Sequence, residues 1–494
     1  MLLLGVDAGQ TVGKAALYDA DGREVAVARA ATRVSSPHPR WVERDLDDIW
    51  AQVAAAIRDV LRQAGAGGGD VAGVGVCGHN DGLHLLDGEL RPVRPAILAT
   101  DSRAHAEAAR LASGATGRRM LRLTGRVPGP ESPAALLTWL RSAEPGAFDR
   151  IRWVLFCKDW LRFRLTGSIA TDPSEASAAF TDVRSQAWSA EALELSGLAE
   201  LAAALPPLRG STEVAGEVGE AAAAATGLAA GTPVVTGAHD VDGNAVGIGA
   251  HAPGAASIVL GTWSINQVVA GRPVTDPRWQ ARSFVRPGQW LHMSTSPAGA
   301  GNLDWAVRQL GPWTASREPD VAGAVAEATA SRGGPGATGE PPLFLPFLFG
   351  SPHGADLAAS WTGVRGWHTR ADLLHAVLEG VAFNHRTHLS ALREALDVVP
   401  PVRVCGGGSR SPAWTALLAD VLDLPVEVTD AAEAGARGAA VLAGIGVGVF
   451  ADLDDAAART VRVVRRQDPD PGAVTTLDRR YRRYRDVVDA LLTA

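Results

Sequence analysis

Leu2 to Val6 is an unbroken apolar run, closed by the small polar turn AGQTVG and followed by a second run, Lys14 to Ala30, that is split by Asp21-Gly22. Apolar runs of this length bounded by glycine and Asp-Gly predict a strand, a glycine turn, a strand, a hairpin and a third strand. The same theme returns from Ala255 to Val269, where an apolar run meets the turn Gly261-Thr-Trp-Ser264 and a new alternating run begins. Two openings of one kind predict a duplicated two-domain architecture, with the boundary in the glycine-rich stretch around residues 245 to 255.

Between the openings, helical and strand spacings alternate. Asp45 to Ala64 has helical spacing, and Val71 to Gly78 reads as a buried strand, which together give an α/β pattern. The Ala-rich segment Glu217 to Gly231 predicts a helix, and Val321 to Gly339 predicts a helix ending in a glycine loop. Ala371 to Leu392 has strong helical periodicity, and Pro401 to Pro412 predicts strand, glycine turn and helix start.

Composition narrows the function. With 494 residues, 46% hydrophobic and 20% charged, the chain can bury substantial cores in at least two domains. A net charge of −7 without a basic block argues against a nucleic-acid partner. No run of eighteen uncharged apolar residues predicts a membrane span, and three widely spaced cysteines, Cys77, Cys157 and Cys405, suit a reducing cytoplasm. Of 47 basic residues only Lys14 and Lys158 are lysines, so each is either a chance survivor or a place where a compact ammonium is required.

Three glycine turns follow apolar strands, at Gly5 to Gly13, Gly261 to Ser264 and Gly406 to Ser411. Exposed backbone N–H groups in such turns suit phosphate oxygens; each alone reads more readily as a tight turn, and the three together shift the balance toward phosphate. Asp240 and Asp242 follow a strand in a run of small residues, where a carboxylate either accepts a proton from a hydroxyl or caps the helix that begins near Asp242. Asp7, at the tip of the first strand, is a turn residue or a ligand for Mg²⁺.

On these residues the whole chain resembles the FGGY carbohydrate kinases, within the superfamily of hexokinase, actin and the heat-shock chaperone ATPases. The most specific match is Ala359-Ser-Trp-Thr-Gly-Val364, seven residues, then Asp372-Leu-Leu-His-Ala-Val-Leu-Glu379, which follows the family's C-terminal signature. GVDAGQTVGK, CGHNDG, RPAILATDSR, CKDWLRFRLTG, TGAHDVDGNA, LGTWS, FLPFLFG and CGGGSRSPAW follow the family in order from end to end. The N-terminal signature is partly met: Leu136 stands where most members have lysine, a loss expected in the L-xylulose kinase branch, which the chain also resembles in SPAGAGNLDW and FLPFLFGSPHGAD.

The resemblance implies two actin-like, ribonuclease H-type α/β domains, residues 1 to 244 and 245 to 494, with the active site in an interdomain cleft. It implies ATP-dependent phosphorylation of a sugar or polyol with Mg²⁺. Asp240 matches the catalytic base and Asp7 the metal-side aspartate. Gly9, Gln10, Thr11 and Lys14 match the first phosphate loop, and Gly261 and Thr262 the second, Thr262 meeting the transferring phosphoryl group. Gly301 and Asp304 match a further nucleotide-side position, and Gly406, Gly407, Gly408 and Ser411 the turn that cradles adenosine. Lys158 falls in the family's K-D-[YW] element.

His79, Asn80, Asp81, Asp101 and Arg103, with His239 and Asp240, match the sugar side. His79 and His239 depart from the residues usual there, so the expected substrates run from L-xylulose or 3-keto-L-gulonate through D-xylulose to a polyol such as erythritol. If both histidines reach the sugar, turnover falls below pH ~6.5 as an unperturbed imidazole gains its proton. A sugar-sensing protein without turnover is the alternative of another class. Trp41 and Glu43 are packing or pocket residues, and a homodimer is compatible with the sequence. His368, His375 and His385 read as solvated or hydrogen-bonded helix residues. Arg479, Arg480, Arg482, Arg483 and Arg485 read as the solvated face of a final helix whose Tyr481 and Tyr484 turn inward.

Overall fold

The opening apolar run forms the strand Leu2–Ala8, paired antiparallel with Val12–Tyr18, which pairs in turn with Glu24–Ala31. The turn between the last two is the expected one: Gly22 has φ 71° and donates to the Asp19 carbonyl. The computed structural model describes residues 1–10, 12–311, 320–330, 340–353 and 357–493. Thr11, assigned to the first phosphate loop, lies outside the described residues, as does the glycine loop predicted after the helix Val321–Ala330.

The chain divides into two compact units. The first holds Met1–Pro253, Val269–His292 and Ala431–Val461, and the second Gly254–Val268, Met293–Asp430 and Arg462–Ala494. Where the sequence places one boundary at 244/245, two later segments thus pack with the first unit. The sheet of the first unit runs Val214–Glu217, Pro233–Val235, Val71–Gly78, Leu2–Ala8, Val12–Tyr18 and Glu24–Ala31, and Ala238–His239 also pairs with Val71–Gly78.

One face of this sheet is covered by the helix Leu46–Ala64, whose Ile49, Val53, Ile57 and Val60 recur at helical spacing and are buried with Leu4, Val6, Val74 and Val76. Asp45 caps it by accepting from the Asp47 and Asp48 amides, and Gly65 ends it at φ 61°. Against Leu2–Ala8 and Val71–Gly78 lies the helix Ala434–Gly446, so close that a Cβ on Gly5 or Gly75 would sit 1.8 or 1.9 Å from its carbonyls at Ala436 and Ala439.

The second unit repeats the opening plan. Ala255–Leu260 pairs antiparallel with the strand beginning at Ser264 and parallel with Val399–Cys405, which continues to Val426–Thr429 and Val463–Gln467. The long helix Arg370–Arg393 starts at a capping box between Thr369 and Asp372. Of the two readings open for the helix histidines, solvated or hydrogen-bonded, His375 and His385 are buried and His385 is hydrogen-bonded: its Nδ1 lies 2.8 Å from Asn266 Oδ1 and 3.1 Å from Ser264 Oγ, and burial pushes the imidazole down to about 3. In the final helix, Tyr481 and Tyr484 do turn inward, but Arg480 is buried with them. Its guanidinium pairs with both Glu379 carboxylate oxygens and donates to the carbonyls of Pro341 and Pro342, which satisfies a charge that burial would otherwise forbid. Among the described residues no helix is long and apolar enough to cross a membrane.

Candidate active site

Strand register gathers the reactive residues of the first unit at one edge of its sheet. Asp7 pairs across with Lys14 on one side and Cys77 on the other, and Cys77 pairs with Ala238. The next row holds Ala8, Gly78 and His239, so His79 and Asp240 leave the sheet from adjacent parallel strands.

Asp240 is the first residue of the helix Asp240–Gly247, and its side chain keeps 26% exposure. His239 Nε2 lies 3.0 Å from Asp240 Oδ1, and His239 Nδ1 lies 3.3 Å from Asp242 Oδ2. Burial works to raise the Asp240 carboxyl, but the charge and hydrogen bond of His239, the charge of His79 and the Val241 amide hold it below the usual carboxylate range. His239 is itself raised, because the two carboxylates outweigh burial and the Arg282 charge. Asp242 is buried and raised by that burial. It sits inside the first turn and His239 holds the N-cap position, so the capping role expected of Asp242 is not the one it has.

Asp7 is raised to about 6, chiefly by burial, with the charges of Asp240 and Glu433 adding to it and Lys14 opposing. Lys14 Nζ lies 3.7 Å from Asp7 and 2.9 Å from Glu433, and Glu433 also pairs with Arg29. Glu433 leads into the glycine-packed helix, and Gly435 makes room for Asp7: a Cβ there would lie 2.7 Å from its Oδ2. Sequence reading missed Glu433, since only the long-range packing of a C-terminal helix brings it to the first strand. In the same loop, Gly9 has a Cβ position 2.9 Å from the Val12 carbonyl, and Gln10 Oε1 accepts from Thr100 at 3.2 Å.

On the segments expected to face the sugar, Asn80 Nδ2 donates to the Glu175 carbonyl at 3.0 Å, and Asp81, at φ 60°, accepts from Arg126 at 2.8 Å. Asp101 and Arg103 face each other: the guanidinium donates to both carboxylate oxygens and stacks 3.9 Å over Trp41, with Glu43 2.8 Å away. Trp41 and Glu43 are thereby packing partners of Arg103. His79 is 3% exposed, and burial pushes it down to about 4 against the lifting effects of Asp240 and the Asn80 backbone. With His79 pushed down to about 4 and His239 raised, neither imidazole keeps the unperturbed value on which an acid limit near pH 6.5 rests.

Behind Asp240 runs a buried polar chain. Lys158 Nζ is 2.7 Å from Asp159 and 3.0 Å from Asp172, Asp172 accepts from Ser174 Oγ at 2.6 Å, and Ser174 Oγ accepts from the His239 amide at 3.0 Å. The retained lysine was the one signal in the sequence that pointed here.

In the second unit, the turn after Ala255–Leu260 leaves Thr262 exposed. The Gly261 carbonyl accepts from the Ala300 amide at 2.7 Å, and a Cβ on Gly301 would sit 3.3 Å from Thr262 Cγ2, so the helix Gly301–Leu310 starts against this turn. Asp304 lies one turn in and is raised by burial. Gly406 has φ 90° and fits against the Leu260 carbonyl, bringing the two glycine turns together. Gly406 and Gly407 are exposed, Gly408 packs on Leu260, and Ser411 caps the helix Pro412–Leu422 by accepting from the Trp414 amide.

Residues 2–247 match the N-terminal domain of the FGGY family of carbohydrate kinases, and residues 256–447 match its C-terminal domain. The L-xylulose/3-keto-L-gulonate kinase of Escherichia coli (strain K12) is 35% identical over 493 residues, 99% of this chain and 97% of that protein. The xylulose kinase of the same strain is 32% identical over 458 residues, 90% of each. The crystal structure of xylulose kinase from Rhodospirillum rubrum superposes with a TM-score of 0.89 at 30% identity, covering 100% of this chain and 99% of that one.

Proposed function

The chain belongs to the FGGY family of carbohydrate kinases, and we propose that it moves the γ-phosphate of ATP to a hydroxyl of a ketopentose or its keto-acid relative, L-xylulose or 3-keto-L-gulonate first. The single observation that carries the mechanism is the Asp240 carboxylate, partly exposed and held ionised by its neighbour His239.

Phosphoryl transfer asks a protein mainly for positioning and for charge stabilisation. Asp240 takes the proton of the attacking sugar hydroxyl at its free carboxylate oxygen, while His239 fixes the other oxygen and the Lys158–Asp172–Ser174 chain fixes the His239 backbone. Asn80 and Asp81 orient sugar hydroxyls from a loop tied down by Glu175 and Arg126. Thr262 and the glycine amides of the second unit take phosphate oxygens, and the Gly406–Ser411 turn takes the nucleoside.

The surplus of carboxylates around Asp7, which burial and its neighbours push to about 6, fits a divalent cation. Mg²⁺ would be held by Asp7 and would supply positive charge to the phosphate oxygens, with Lys14 and Glu433 orienting that carboxylate. The three cysteines are free and buried, in keeping with a cytoplasmic enzyme.

ADP release measured by a coupled assay over D- and L-ketopentoses, 3-keto-L-gulonate and erythritol tests the reading. The expected result is a preference of at least roughly tenfold in kcat/KM for one ketopentose or the keto acid, because an inverted hydroxyl leaves buried groups unpaired. An equal or better rate with erythritol overturns the substrate assignment. Sugar binding without ADP release from any of them overturns the catalytic one.

A further inference from the structure

Beneath the base, outside the groups used above for proton transfer and nucleotide binding, the first unit brings two histidines and a cysteine together. His79 follows the strand Val71–Gly78, and a Cβ on Gly78 would lie 3.0 Å from the Lys158 amide, so the start of the helix Cys157–Thr166 abuts this strand end. His84 opens the short strand His84–Leu86 and pairs antiparallel with Leu155, two residues before Cys157. One ligand atom each from His79, His84 and Cys157 lies within 4.8 Å of the others, and all three residues are buried.

Among the described residues, neither ring nitrogen of His79 nor of His84 makes a hydrogen bond of ordinary geometry, and the two rings stand 5.8 Å apart. Buried polar atoms without partners are uncommon in native proteins, and two imidazoles short of partners beside one thiol point to a ligand. Burial holds both imidazoles below their usual pKa, so they are neutral and their lone pairs are available to a metal.

We propose that His79, His84 and Cys157 form a three-coordinate site for a soft monovalent d¹⁰ cation, Cu(I). On binding, the Cys157 thiol releases one proton and the sulfur bonds to the metal, while each imidazole donates one nitrogen lone pair. One thiolate and one monovalent cation make a neutral complex, the form least costly to bury. Zn²⁺ would leave a net positive charge beside Arg44, whose guanidinium acts on all three residues. It would also want a fourth ligand, and among the described residues no further histidine, cysteine or carboxylate joins the three. His79 stands within electrostatic reach of the partly exposed Asp240.

The test is an anaerobic titration of the full chain with Cu(I) against a chromogenic Cu(I) chelator. The wild type is expected to withhold one equivalent, and Cys157→Ala and His84→Phe are each expected to weaken that binding at least ~100-fold, since even groups outside the ligand shell cost 10–100-fold. Cys405→Ala, in the second unit, should leave it unchanged. Sugar turnover retained by the His84 and Cys157 variants shows that they fold. If either does not, X-ray absorption of copper-loaded wild type decides, with one sulfur and two nitrogen neighbours expected. A wild type that yields all its copper, variants that keep it, displacement of Cu(I) by equimolar Zn²⁺, or a copper without a sulfur neighbour overturns the proposal.

Discussion

The imidazole of His239 is held 3.0 Å from the carboxylate of Asp240, the residue that follows it in the chain. Adjacent side chains in a strand point to opposite faces, and adjacent side chains in a helix point about 100° apart. The pair meets because the chain changes from strand to helix between them, with His239 ending Ala238–His239 and Asp240 opening Asp240–Gly247. The contact makes Asp240 an acceptor that stays ionised.

Removing the imidazole should therefore act through pKa. In His239→Phe the burial that raises Asp240 is unopposed by its main counter-charge, so the acid limb of kcat/KM for the sugar is expected to move to higher pH, with kcat down roughly tenfold at neutral pH. The pH–rate profiles of the two proteins check this. A limb that stays in place would show that His239 does not set the charge of the base.

Asp7, not a histidine, is the group expected to set the acid limit of the wild type. Its pKa of about 6 means that it protonates as pH falls through that value, and a protonated carboxyl is a poor ligand for Mg²⁺. Because metal and proton compete for one carboxylate, raising Mg²⁺ tenfold should shift the limb of kcat/KM for ATP to lower pH. An Mg²⁺-independent limb would separate Asp7 from the metal.

Much of this organisation was legible in the sequence. The paired strand–turn–strand openings, the capped helix Leu46–Ala64 and the three glycine turns all depend on local chemistry, the caps and apolar spacing that a single sequence displays. What escaped depended on distance in sequence. Glu433 reaches Lys14 across the whole chain, and Arg480 is buried only because Glu379 and two proline carbonyls wait for it. The stacking of Arg103, paired with Asp101, over Trp41 likewise joins segments that a linear motif does not connect. The discontinuous units likewise have no local signal, since Ala431–Val461 joins the first by packing glycines onto its sheet.

Lys158 offers a stability test. Its ammonium is fully buried between Asp159 and Asp172, and an ion pair broken from one side leaves a buried charge uncompensated. Lys158→Met is expected to lose about 3–5 kcal/mol in urea unfolding. Lys158→Arg should recover only part of this, because a planar fork does not fit a cavity shaped for an ammonium. Wild-type stability in the methionine variant would mean that the two aspartates are neutral in the folded protein.

Asp240 and Asp242 lie two residues apart and should fail in different ways when each is changed to asparagine. Asp240→Asn keeps the shape and the hydrogen-bonding reach of the side chain but removes the group that accepts the hydroxyl proton, so sugar binding should stay within a few-fold while kcat falls ~10²–10⁴-fold. Asp242 is fully buried, and its carboxylate is 3.3 Å from the far nitrogen of His239. Asp242→Asn weakens one of the two carboxylate contacts that raise His239, so the imidazole loses its proton at a lower pH and Asp240 loses its support in the neutral range. The expected outcome is a smaller fall in kcat, roughly tenfold at neutral pH, that recovers as the pH is lowered and His239 regains its proton. A capping role predicts something else, a lower unfolding midpoint with an unchanged pH profile, because a lost cap weakens the helix without touching the base. Calorimetric sugar binding, single-turnover rates and thermal unfolding on both variants separate the two. Near-normal turnover in Asp240→Asn together with a collapse in Asp242→Asn would transfer the role of base to Asp242, with His239 serving the same function from its other nitrogen.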